Sequence, residues 1–127
     1  MRISIIGVGY VGLVSGACFS DFGHDVICID KDKDKISNLN NGLVPIYEPG
    51  LESLIKKNIE GKRLSFQTDL KSSIKTAEVI FIAVGTPINK FDDSVDLSSL
   101  FEVINEIKDL ISSSQVVVIK STVPVGT

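Results

Sequence analysis

Two rhythms of apolar and polar positions alternate along this chain. "ISIIGV" (residues 3–8) is a short β-branched run ending in glycine, the mark of a buried parallel strand. Val11, Val14, Cys18 and Phe22 then recur at three- and four-residue spacing, which predicts a helix buried on that face and stopped at Gly23. "DVICID" (25–30) reads as a second strand, and Asp32 can cap a short helix carrying Ile36 and Leu39 that ends at Gly42. "LVPIYEPG" (43–50) is punctuated by Pro45, Pro49 and Gly50 as a loop. Leu51, Leu54, Ile55 and Ile59 make another amphipathic helix, stopped by Gly61.

The second half repeats the alternation. "LSFQT" (64–68) is a weak third strand, Asp69 can cap the helix after it, and "EVIFIAV" (78–84) is a fourth strand. A polar loop (85–96) follows. Ser99 and Glu102 have capping-box spacing, and Leu100, Val103, Ile104, Ile107 and Ile111 define the buried face of what reads as the longest helix. "QVVVIK" (115–120) is the fifth strand. Alternating strand and helix imply a parallel sheet with right-handed crossovers. The expected fold is a single α/β domain of Rossmann type, doubly wound.

Composition narrows the class. With 127 residues and 43% hydrophobic content the chain can bury one core. A formal charge of -3 and a pI near 5.1 leave no basic footprint for nucleic acid or an anionic membrane. No apolar run reaches the ~18 residues of a spanning helix. Cys18 and Cys28 are too few for a disulfide framework and lack metal-ligand spacing, so they read as small buried hydrophobes in a reduced, cytoplasmic compartment. The chain stops in "VVVIKSTVPVGT", just past a core strand, which is expected of a piece of a longer protein.

The first apolar stretch also resembles a secretion signal. Three glycines interrupt it, however, and its removal would delete the first strand and helix of the pattern. The glycines suit a different task. Gly7-Val8-Gly9-Tyr10-Val11-Gly12 fits G-x-G-x-x-G: a tight turn at the first glycine, close approach of a pyrophosphate at the second, and helix–strand packing at the third. Phosphates there meet free backbone N–H groups at the positive end of a helix. The pattern requires a strand before, a helix after and an acid about 20 residues on, and Asp30 is that acid. A carboxylate at this point accepts hydrogen bonds from the adenosine ribose and repels a 2′-phosphate. That favours NAD over NADP, although Lys31, Lys33 and Lys35 lie close enough to offset the repulsion.

In an open parallel sheet, ligands sit beyond the carboxyl ends of the strands. The glycine turn, Asp30, "VGTP" (84–87) and "KSTVPVG" (120–126) all fall on that edge. "FGHD" and "SSSQ" fall on the other as plain connectors, and His24 with them reads as structural or solvent-facing. Thr86 and Thr122 either satisfy nearby backbone groups or flank a nicotinamide. Glu48 either favours the N-terminus of the helix after it or serves the site.

"IGVGYVGLVSGACFSDFGHDVICIDKD", "YEPGLESL", "VGTP" and "STVPVGT", in that order, resemble the N-terminal part of the nucleotide-sugar dehydrogenases, and most the UDP-glucose 6-dehydrogenase branch. GDP-mannose and UDP-N-acetylmannosamine dehydrogenases share the scheme. The resemblance implies two hydride transfers to two NAD molecules, oxidising UDP-glucose to UDP-glucuronate through a cysteine thiohemiacetal and thioester. It implies a homodimer for the full-length protein. It places Tyr10 and Val11 at the pyrophosphate turn, Asp30 and Lys35 on the adenosine ribose, and Thr86 along the cofactor. Thr122 would lie near the nicotinamide and position water. The family's nucleophilic cysteine, catalytic lysine, asparagine and glutamates follow the "STVPVGT" motif, and neither Cys18 nor Cys28 matches the nucleophile's motif. Residues 1–127 are thus expected to be the NAD-binding domain, with a central helix and UDP-sugar domain beyond it. A stand-alone NAD-sensing domain, or a dehydrogenase for another nucleotide sugar, stays open on these residues.

Overall fold

The computed structural model describes residues 1–127. In chain order the elements are β1 (Arg2–Ile6), α1 (Tyr10–Asp21), β2 (Asp25–Ile29), α2 (Lys33–Asn40), α3 (Leu51–Glu60), β3 (Leu64–Gln67), α4 (Leu70–Thr76), β4 (Val79–Ile82), α5 (Ser98–Ile107) and β5 (Val116–Ile119). The strands pair in the order β3-β2-β1-β4-β5, and every pairing is parallel. The expected alternation of strands and helices is the one observed.

The two-residue period of a strand lets β1 serve both faces of the sheet. Ile3 and Ile5 join Leu13, Ala17, Leu39, Leu51 and Ile55 in a core against α1, α2 and α3. Ile6 joins Ile74, Ile80, Ile82, Leu100 and Ile107 in a second core against α4 and α5. Ser4 faces this second side too, and its buried hydroxyl donates to the Ser73 carbonyl at 3.1 Å. From β1 the chain winds outward through β2 and β3, then returns to β4 and winds the other way. The order therefore reverses between β1 and β4, and a doubly wound sheet opens a crevice at that point.

Helix α1 departs from the face that hydrophobic spacing predicts. Val11 and Phe22 are exposed and Val14 and Cys18 only half-buried, while Gly12, Leu13, Gly16, Ala17 and Ser20 face the sheet. Small side chains decided the outcome. A Cβ on Gly16 would lie 2.5 Å from the Cys28 sulfur, so the glycine lets the helix axis approach β2 more closely than a valine stripe would allow. Apolar periodicity does not register glycine, serine and alanine as a packing face. At 12 residues α1 is also longer than α5, which has 10.

Two acidic caps form as expected: Asp32 accepts from the N–H groups of Asp34 and Lys35, and Asp69 from that of Ser72. The Ser99–Glu102 capping box does not form. Helix α5 begins at Ser98, and it is Asp96 that accepts the Ser98 N–H, at 2.9 Å. The start shifts because Leu97 is already turned into near-helical geometry, which carries Ser99 inside the first turn. His24 lies on the connector edge, its Nδ1 3.3 Å from the terminal amine. Cys18 and Cys28 are free thiols, and burial pushes the Cys28 thiol up to about 12. No helix is long and apolar enough to cross a membrane.

The tight seat of α1 gives a direct test. Gly16→Val is expected to destabilise the fold by about 1–3 kcal/mol, as overpacked cores do. Cys28→Ala in the same chain is expected to recover part of that loss. Urea unfolding of the two single variants and the double variant measures both, and additive losses would place the clash elsewhere.

Candidate dinucleotide-binding cleft

The crevice at the reversal of strand order is lined by residues that lie far apart in the chain. A cleft of about 410 Å³ opens over the ends of β1, β2 and β4, with Ile6, Ile29, Leu70, Val84 and Val103 among its apolar walls. Gly7, Gly9, Asp30 and Lys35 line it from the motif already recognised. Thr68, Leu70, Ser99, Glu102, Val103 and Glu106 line it as well, and motif reading did not single these out as site residues. The edge rule applied to four strands extends to the other two elements: Thr68 follows β3, and α5 begins after the loop from β4. That extension reaches only Thr68 and the start of α5.

Geometry explains each glycine of the turn. Gly7 has φ +99°, and a Cβ there would lie 2.7 Å from the Ala83 carbonyl oxygen, so the turn presses against the end of β4. A Cβ on Gly12 would lie 1.8 Å from the Gly7 carbonyl oxygen, which leaves no room for any side chain where α1 meets the turn. Gly9 is the opposite case, because nothing lies within 4 Å of the position its Cβ would take. It is the N-cap of α1 and no side chain caps the helix, so the first backbone N–H groups are left for another acceptor. Open space before Gly9 and uncapped N–H groups behind it form a cradle of the kind that holds phosphate.

Asp30 ties this turn to β2. Its Oδ2 accepts the Val8 N–H at 3.0 Å and its Oδ1 accepts the Asp32 N–H at 3.0 Å. Lys35 Nζ lies 3.4 Å from Oδ2, and the Asp30 side chain is only 15% exposed. Burial works against ionisation here, but the two backbone N–H groups and the Lys35 ammonium outweigh it and hold the carboxyl below its ordinary range. The carboxylate therefore stays charged and oriented, with a lone pair on Oδ1 still unused for a hydroxyl donor.

The remaining site residues form two further groups. Thr86 and Thr122 meet across the turns after β4 and β5: the Thr86 hydroxyl lies 2.9 Å from both the Thr122 carbonyl oxygen and the Thr122 hydroxyl. Ser121 Oγ donates to the Val84 carbonyl at 2.7 Å and fastens the same turns together. Backbone satisfaction and a paired placement thus hold at once for Thr86. Tyr10, in the first turn of α1, donates its hydroxyl to Glu48 Oε2 at 3.0 Å. Glu48 raises the Tyr10 pKa by accepting that bond and by its charge. The contact gives Glu48 a partner on the glycine turn and pins the 43–50 loop beside it. Val11 is exposed on the same turn.

Comparison with known proteins agrees with this geometry. The family model for the NAD binding domain of the UDP-glucose/GDP-mannose dehydrogenase family matches residues 1–127. A UDP-glucose 6-dehydrogenase of Rhizobium meliloti is 54% identical over 127 residues, which are 100% of this chain and 29% of that protein. One from Pseudomonas aeruginosa is 46% identical over 127 residues, 100% of this chain and 28% of its own length. Among solved structures, a ternary complex of GDP-mannose dehydrogenase from Pseudomonas aeruginosa superposes with a TM-score of 0.94 at 44% identity, covering 100% of this chain and 30% of the other. The chain thus spans less than a third of the length of the relatives it matches. With the glycine turn, the strand-end acid and the paired threonines on one sheet edge, the chain belongs to the UDP-glucose/GDP-mannose dehydrogenase family, whose NAD binding domain it matches from end to end.

Proposed function

We propose that this chain is the cofactor-holding part of a nucleotide-sugar dehydrogenase that oxidises the C6 alcohol of UDP-glucose to the carboxylate of UDP-glucuronate with two NAD. The observation that carries this reading is the convergence of the uncapped start of α1, the anchored Asp30 carboxylate and the Thr86–Thr122 pair on the carboxyl edge of one sheet. The names of the UDP-glucose 6-dehydrogenase relatives support the substrate. In this reading the substrate-binding and nucleophilic groups lie outside these residues, as the resemblance implies. The full-length protein acts as a homodimer, as the resemblance implies, and the free Cys18 and Cys28 support a reducing, cytoplasmic compartment.

Each residue has its own task in this reading. The backbone N–H groups of Tyr10, Val11 and Gly12, at the positive end of α1, bind the pyrophosphate, and Gly9 leaves room for it. Gly7 and Gly12 let turn, strand and helix close on one another. Asp30 accepts a hydrogen bond from the adenosine ribose, and Lys35 steadies its carboxylate at Oδ2. Thr86 orients the nicotinamide end, and Thr122 holds a water near it through its hydroxyl. Bound NAD supplies the hydride acceptor. A GDP-mannose substrate is the second reading, supported by the TM-score of 0.94 to a GDP-mannose dehydrogenase.

Asp30→Ala is expected to weaken NAD binding by about 1.5–3 kcal/mol, the range for a hydrogen bond to a charged group. Calorimetric titration measures it, and unchanged affinity would move the ribose contact elsewhere. The same carboxylate links stability to acid. Its folded-state pKa lies below the unfolded value of about 3.9, so its contribution is complete above that pH and fades as pH falls through the lowered value. The stability gap between the wild type and Asp30→Asn is therefore expected to close below about pH 4 in acid unfolding curves. For the substrate, NADH formation by the full-length protein with UDP-glucose, GDP-mannose and UDP-N-acetylmannosamine is expected to be fastest with UDP-glucose. A clear preference for either other sugar would replace the proposed reaction.

A further inference from the structure

Three lysines near the end of β2 leave the dinucleotide choice ambiguous in the sequence, because a cation beside the strand-end acid is what accommodates a 2′-phosphate. The fold distributes them unequally: Lys33, exposed at the start of α2, does not line the cleft. Lys35 is spent on Asp30 itself, 3.4 Å from Oδ2. Lys31 follows Asp30 directly and lines the wall of the cleft. Its Nζ lies 3.3 Å from Glu102 Oε2, on α5 and 71 positions away in the chain. The charged lining of the cleft is then Asp30, Glu102 and Glu106 against Lys31 and Lys35, an excess of one negative charge with both ammonium groups engaged.

The Lys31–Glu102 pair is too exposed to be there for stability. Its side chains are 82% and 56% accessible, and such pairs contribute about 0–1 kcal/mol. Position is its distinguishing property, since it joins the turn after β2 to α5 across the two sides of the cleft. We propose that Glu102 is a specificity residue that disfavours a 2′-phosphorylated dinucleotide by occupying the ammonium of Lys31. This rests on the dinucleotide-binding reading above and assigns part of the choice to a residue outside the glycine turn and the strand-end acid. A phosphate on the 2′-oxygen adds nearly two negative charges at neutral pH. To use Lys31 it must displace Glu102, whose carboxylate stays nearby. The unphosphorylated ribose needs no such displacement.

The test is titration of NAD and of NADP into the full-length protein, comparing the wild type, Glu102→Gln, Lys31→Gln and the double variant. Glu102→Gln is expected to shift the ratio of NADP to NAD affinity toward NADP by about two- to fivefold, the effect of an exposed charge pair. The gain is expected to shrink in 1 M salt, where the screening length is about 3 Å, and to vanish in the Lys31→Gln background. An unchanged NAD-to-NADP ratio overturns the proposal, as does equal weakening of both dinucleotides. A gain that persists without Lys31 overturns the assigned route through that ammonium. A wild type that binds neither dinucleotide would instead remove the reading on which the proposal rests.

Discussion

The start of α1 lies directly on the end of β1, and the rest of the site depends on that contact. It exists because position 12 carries no side chain: a Cβ would lie 1.8 Å from the Gly7 carbonyl oxygen. Backbone against backbone leaves nothing that can yield, unlike a clash with the tip of a flexible side chain. The same close approach continues at Gly16 over Cys28, so the helix is held to the sheet along its length rather than at one point. Its first N–H groups therefore face a place set by the sheet. A helix dipole is useful to an anion only within its first turn, so an ångström of retreat would matter more here than elsewhere on the helix.

Asp30 carries this local arrangement into the wider fold. A carboxylate that accepts from Val8 and from Asp32 joins the glycine turn to the start of α2, and Lys35 neutralises it from within that helix. The group is ordered before any ligand arrives, which lowers the entropy lost on binding. The Thr86–Thr122 contact does for β4 and β5 what Asp30 does for β1 and β2, joining the ends of adjacent strands through a side chain. Tyr10 and Glu48 extend the pattern to the 43–50 loop. Each tie lies on the carboxyl edge of the sheet, where turns from distant parts of the chain meet.

Much of the fold was legible from local pattern. Buried parallel strands have apolar runs, and Asp32 and Asp69 cap helices by chemistry that operates within three residues. The buried face of α1 was not legible, because Val11, Val14, Cys18 and Phe22 are more apolar than the small residues that pack. The Ser99–Glu102 box failed for a related reason: a spacing motif does not say where the preceding loop delivers the chain, and Asp96 reached the free N–H first. At the site, Gly7, Gly9, Gly12 and Asp30 stood out because their roles are set by backbone geometry and a short sequence interval. Leu70, Val103 and Glu106 did not, since an apolar or acidic residue on a helix has no mark of its own until a cleft forms beside it.

The sequence by itself determined the order and kind of the elements, the phosphate-type turn and the acid that follows it, because each arises from interactions between near neighbours in the chain. Tertiary structure alone decided which stripe of α1 is buried, that Thr86 and Thr122 meet, and that Lys31 is matched by a carboxylate on α5. Those outcomes turn on distances between residues that only the winding of the sheet brings together. Electrostatic and packing energies depend on such distances in space, and the interval along the chain does not contain them.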